Sequence, residues 1–131
     1  MNDTSRRAAP IVELTAVTLD CLDPGPMVAF YAGAFGAAVS HEESDGAWIH
    51  VEGGPLILIR QVGGYRPPTW PAPDAPMQMH FELSVGDVDE AESRLRALGA
   101  ISCAYQPHRA QGNVVMLDPA GHPFCIGGRV Q

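Results

Sequence analysis

HFELSVGDVDEAESRLRALGA, residues 80–100, repeats in altered form the pattern of AVTLDCLDPGPMVAFYAGAFGA at residues 16–37. Each copy opens with an alternation of period two and reaches an aspartate, Asp23 or Asp87. A helical segment comes next, 24–35 in the first copy and 88–98 in the second. Each helix then meets a glycine, Gly36 or Gly99, that suits the left-handed residue closing a helix. The aspartates stand where a side-chain oxygen caps the first turn. A repeat of this kind is the first thing to settle, because missing it misassigns the fold.

The segments after the two helices are also alike. AAVSHEE (37–43), GAWIHVE (46–52) and PLILIRQV (55–62) read as three strands, separated by Ser44-Asp45-Gly46 and Gly53-Gly54-Pro55. ISCAYQ (101–106), NVVML (113–117) and HPFCIGG (122–128) read as three more, with turns near Gly112 and at Pro119-Ala120-Gly121. The order is therefore β-α-β-β-β, twice. The expected fold class is α+β: two βαβββ modules forming a curved mixed sheet with a concave cavity, helices outside. Neither module, at about 55 residues, is expected to be stable alone. Module 1 is placed at about 11–62, a proline-rich connection at 63–76, and module 2 at about 77–131, in one domain over 11–131. Residues 1–10 read as a flexible leader.

The bulk composition sets limits. A chain of 131 residues with 46% hydrophobic and 18% charged residues is ordinary for one soluble domain. Eight basic against 15 acidic residues give a net charge of −7, which argues against nucleic-acid binding. The apolar runs, such as PLILI at 55–59, are far short of the roughly 20 residues that span a bilayer. No signal-peptide pattern is read in the first ten residues. Cys21, Cys103 and Cys125 are odd in number and widely spaced, which points to reduced thiols and a cytoplasmic setting.

The strand faces carry the chemistry. In MQMHFELSV, 77–85, Met79, Phe81, Leu83 and Val85 form an apolar row expected under the helix. Gln78, His80, Glu82 and Ser84 form a polar row that suits solvent or a pocket; Ala16, Thr18 and Asp20 are its counterparts in module 1. His80 and Glu82 are the candidate general acid–base pair, since imidazole is the side chain best suited to proton transfer near neutral pH. Trp48 and His50 share the face opposite Ile49 and Val51. With Tyr65 and Trp70 they are candidate walls for a planar ligand, the tryptophans alternatively closing the core. His122 reads as an exposed turn residue. His41 and His108 read as surface residues without partners.

These segments, with LDPAGHPFC (117–125), resemble the vicinal oxygen chelate superfamily, also called glyoxalase/bleomycin-resistance/extradiol-dioxygenase, and specifically its small glyoxalase-like bacterial members. The resemblance covers nearly all of the chain from residue 12. It implies metal-ligand positions at Ala16, about Leu58, His80 and Cys125. Alanine and leucine have no lone pair to give, so of the implied set only His80 and Cys125 can serve, and Cys125 is otherwise a small buried hydrophobe. Ordinary glyoxalase I or extradiol dioxygenase chemistry is therefore not expected. The resemblance also implies a homodimer, because such proteins often build cavities across two chains. Two functions are implied by it. One is binding of a small organic molecule in the concave cavity, with no cofactor. The other is a lyase or isomerase acting on a carbonyl or oxygenated metabolite, using His80 and Glu82 or a divalent ion (Zn, Ni, Mn or Fe).

Overall fold

The computed structural model describes residues 8–72 and 77–128. Most of the expected leader and the end of the proline-rich connection lie outside the described residues. Module 1 contains β1 (Ala16–Cys21), α1 (Pro24–Phe35), β2 (Ala38–Glu43), β3 (Gly46–His50) and β4 (Leu56–Gln61). Module 2 contains β5 (Phe81–Ser84), α2 (Val88–Ala97), β6 (Ile101–Ser102), β7 (Val114–Leu117) and β8 (Pro123–Gly127), with a 3₁₀ turn at Arg109–Gln111. Each module makes one four-stranded mixed sheet, ordered β1-β4-β3-β2 and β5-β8-β7-β6. In both, the first and last strands of the module are parallel neighbours and the other pairings are antiparallel. The α+β fold of paired βαβββ modules is the one the repeat implies.

The helix boundaries follow from local chemistry. Asp23 accepts a hydrogen bond from the Gly25 amide at 3.2 Å and Asp87 from the Glu90 amide at 2.9 Å. Each occupies the N-cap, where the first-turn amides have no partner within the helix. Gly36 ends α1 with φ 58, a conformation that costs glycine little and other residues more.

The core lies between the helices and one face of each sheet. Ile49, Ile57 and Ile59 supply it from module 1; Val114, Met116, Phe124 and Ile126 supply it from module 2. Helix α1 belongs to both halves. Phe30 packs on Phe124 of β8, and Tyr31 packs edge-on against Phe81 of β5.

The same helix carries a buried polar link between modules. Tyr31 Oη donates to Asp118 Oδ2 at 2.6 Å in a buried setting. Oδ1 of Asp118 accepts from the amides of Ala120 and His122, so the carboxylate holds the DPAGHP turn as well as the helix. Within that turn Gly121 has φ 88, and a Cβ there would meet Pro67 Cβ at 2.8 Å. Only glycine fits.

Three local expectations change. Met79 is 93% exposed, not part of the row under the helix. Gln78 has φ 64, which breaks the alternation before β5 starts at Phe81, so only Phe81, Leu83 and Val85 reach the core. ISCAYQ forms a strand only at Ile101–Ser102. Beyond it Gln106 takes over the edge of β7, donating to the Val115 and Cys103 carbonyls and accepting from the Val115 amide. A side-chain amide thus stands in for strand backbone.

Burial pushes the Asp118 carboxyl above its ordinary range, opposed by the Tyr31 hydrogen bond. Its share of stability is therefore fullest below the ordinary carboxyl pKa and falls as pH rises through the higher folded value. Tyr31→Phe removes a donor from the buried carboxylate. Denaturant unfolding should show a loss of about 1–3 kcal/mol at pH 7 and a smaller loss near pH 3, below the ordinary carboxyl pKa, where the carboxyl is protonated. An equal loss at both pH values would assign the effect to packing alone.

Candidate functional site

The faces turned away from the helices differ between the two modules. In module 1, β1 offers Thr18, β4 offers Leu58 and β3 offers Trp48 and His50, while Ile49, Ile57 and Ile59 point into the core. Thr18 and Leu58 are register partners across the parallel β1–β4 pair. In module 2 the corresponding partners are Glu82 and Cys125 across β5–β8. The fold repeats, and the side chains at matching places do not.

In module 2, His80 Nε2 donates to Glu82 Oε1 at 2.9 Å. The Cα positions are two residues apart, yet the side chains lean together because His80 lies just before β5. Nδ1 of His80 faces the Gln78 carbonyl at 3.3 Å, a position set by the positive φ of Gln78. Cys125 stands beside them. One ligand atom from each of His80, Glu82 and Cys125 lies within 4.8 Å of the other two. The Cys125 thiol is pushed up to about 11, first by burial and then by the Glu82 charge.

The metal set implied by resemblance does not fit this chain: Ala16 and Leu58 hold two of its four places and cannot ligate. The donors the chain does have lie on a single sheet, and Glu82 is one the implied set lacks.

The other candidates are distributed differently. In module 1, Trp48 stacks on His41 with ring centroids 3.7 Å apart and 23° between planes. Ser40 Oγ bonds to His50 Nε2 at 2.5 Å and to His41 Nδ1 at 2.9 Å. His41 is therefore not a residue without partners. It occupies an irregularity in the β2–β3 ladder and has φ 52, which turns its ring onto the tryptophan. That ladder irregularity is the missing signal, because regular alternation gives His41 no neighbour. Asp20 pairs with Arg60 at 3.2 Å on the surface. Tyr65 donates to the Ala120 carbonyl at 2.6 Å, and burial pushes its hydroxyl up to about 12. Trp70 packs on Tyr105 at 5.9 Å. Trp48, Tyr65 and Trp70 thus have three different neighbours.

His122 is half-buried and not an exposed turn residue. Its Nε2 donates to the Asp20 carbonyl at 2.7 Å, tying the module 2 turn to β1. That bond commits the imidazole to the module junction, away from Cys125.

The junction leaves a cleft between β1 and β5 of about 310 Å³. Thr18, Leu19, Tyr31, Phe81 and Pro123 line it, with Met79 and His80 at its side. The lining is mostly apolar, and the volume falls at the lower end of small-molecule sites. Glu82 and Cys125 lie outside it.

Residues 16–127 match the glyoxalase-like domain family. No curated protein matches the sequence. Among solved structures, the fosfomycin resistance protein FosX from Listeria monocytogenes is 22% identical over 92% of this chain and 94% of its own, with a TM-score of 0.68. A substituted form of FosX has been solved with Mn(II) and a dihydroxypropylphosphonic acid. A glyoxalase/bleomycin resistance protein/dioxygenase family enzyme from Burkholderia phytofirmans PsJN is 19% identical over 91% of this chain and 100% of its own, with a TM-score of 0.68. The oxidase ChaP-H2 is 20% identical over 92% of this chain and 96% of its own, with a TM-score of 0.64. Identities this low bear on the fold alone.

The adjacency of Glu82 and Cys125 has a direct readout. Glu82→Gln removes a charge that raises the thiol pKa, so more thiolate forms at a given pH. Alkylation of Cys125 at pH 8, followed by peptide mass spectrometry, should become faster, while buried Cys21 stays unreactive. An unchanged rate would separate the two side chains.

Proposed function

This chain belongs to the glyoxalase-like domain family, and we propose that it binds a small organic molecule in the cleft between β1 and β5. The observation that carries the reading is the His80–Glu82 pair, hydrogen-bonded at 2.9 Å beside an otherwise apolar cleft. Thr18, Leu19 and Phe81 supply the contact surface; His80 supplies one polar group to fix orientation. The stacked His41 and Trp48 give a second flat surface on the module 1 face, reached from Thr18.

The same pair favours a second reading, a lyase or isomerase acting on a carbonyl or oxygenated compound. A carboxylate bonded to Nε2 orients the ring, which is what a proton-transfer group needs. His80 would then move the proton, and Glu82 would hold His80 in place.

The reading includes a homodimer in the cytoplasm. Supporting it, Ile11, Val12 and Leu14 stand exposed in one run, and Met79 is exposed as well, giving apolar surface suited to a second copy. All three cysteines are free. Among the described residues no helix is long and apolar enough to cross a membrane.

Thr18→Trp tests the cleft. Thr18 is exposed, so the larger ring should occupy the cleft at a stability change within about 0.5 kcal/mol. In a ligand-observed NMR screen of small aromatic and carbonyl compounds, hits on the native protein should vanish in the variant. Hits that persist would place binding elsewhere. If any hit is turned over, His80→Gln should slow turnover by about 10²–10⁴-fold while binding remains.

A further inference from the structure

We infer that Nδ1 of His122 is the hydrogen-bond acceptor of the cleft between β1 and β5, so that the cleft takes an uncharged molecule with an apolar body and one hydroxyl or N–H donor. This rests on the cleft being the ligand site, and it narrows the class of that ligand.

The tautomer of His122 follows from the contacts of its other ring nitrogen. Nε2 lies 2.7 Å from the Asp20 carbonyl and 3.3 Å from Tyr65 Oη. A carbonyl can only accept. Tyr65 gives its one proton to the Ala120 carbonyl at 2.6 Å, so its oxygen also faces Nε2 as an acceptor. Nε2 therefore carries the hydrogen, and in the neutral ring Nδ1 keeps a free lone pair. Among the described residues Nδ1 has no hydrogen-bond partner, and no buried side-chain nitrogen or oxygen is left unpartnered. Nδ1 is thus open, not sealed in, and His122 lines the cleft.

The other polar side chains of the lining are engaged or exposed. Tyr31 gives its hydroxyl proton to Asp118. His80 has Glu82 at Nε2 and the Gln78 carbonyl at Nδ1. Thr18 is exposed to solvent. The remaining lining, including Val17, Leu19, Phe81 and Pro123, is apolar, and no lysine or arginine takes part in it. An anion therefore finds no countercharge. A bare carbonyl turned to Nδ1 sets lone pair against lone pair and leaves the acceptor unmet, which costs binding. A hydroxyl or N–H completes the bond.

Two matched pairs of probes test this: phenol with anisole, and indole with N-methylindole. The second member of each keeps the ring and lacks the donor. Titration of isotope-labelled protein, read at the amides of β1 and β5, should show phenol and indole binding about 5–100-fold tighter than their methylated partners. His122→Gln keeps an N–H for the Asp20 carbonyl and removes the ring lone pair. The preference should then fall below about 3-fold. Nitrogen-15 spectra of the native imidazoles supply a readout that a purely structural histidine would not move. His122 should show hydrogen on Nε2, and its Nδ1 resonance should shift with phenol but not with anisole. Should His122→Gln fail to fold, those spectra decide. Equal binding within each pair inside the cleft, a preference unchanged in His122→Gln, or hydrogen on Nδ1 of the free protein would overturn this assignment alone. Probes that bind only outside the cleft would overturn the cleft reading and this assignment with it.

Discussion

The buried hydrogen bond from Tyr31 to Asp118 is the contact on which the arrangement of the two modules turns. It joins the middle of α1 to the DPAGHP turn, and the turn positions β8 directly beyond it. A carboxylate buried this completely is costly unless its lone pairs are met. Here the Tyr31 hydroxyl and the amides of Ala120 and His122 meet them. The turn then delivers His122 to the Asp20 carbonyl, which brings β1 beside β5. The cleft between those strands is a consequence of this junction, and His80 comes to its side by the same route.

The two modules share a backbone plan and divide the chemistry. In module 1 the parallel pair carries Thr18 and Leu58; in module 2 it carries Glu82 and Cys125. Module 1 replaces donors with surface, through the His41–Trp48 stack. Module 2 holds the His80–Glu82 pair with the Cys125 thiol beside it. The core-facing residues of both modules are apolar, so the difference lies on the outer faces alone.

Much of the fold is legible in the chain. Asp23, Asp87, Gly36 and Gly99 mark the helix ends by local rules that tertiary contacts do not override. Alternation places Ile49, Ile57, Ile59, Phe81 and Leu83 on the core side. Alternation fails where the backbone leaves the extended region, at Gln78 and His41, both with positive φ. Those two positions decide the exposure of Met79, the lean of His80 and the stacking of His41, so errors collect near the site. His122 escapes a sequence reading for another reason: its partner is a backbone carbonyl 102 residues away, which no local pattern records. The pairing of His80 with Cys125 is implied only by the family resemblance, and the closeness of Glu82 to both depends on how the side chains lean.

The central claim is that one cleft, bounded by a strand from each module, is where this protein meets its small molecule. The most direct measurement is amide shift mapping of isotope-labelled protein with a bound compound. The account predicts that the shifted amides fall on both sides of the junction, around Thr18 and Leu19 of β1 and around His80 and Phe81 beside β5. Shifts confined to the Trp48 face of module 1, or to the groove between α1 and α2, would contradict it.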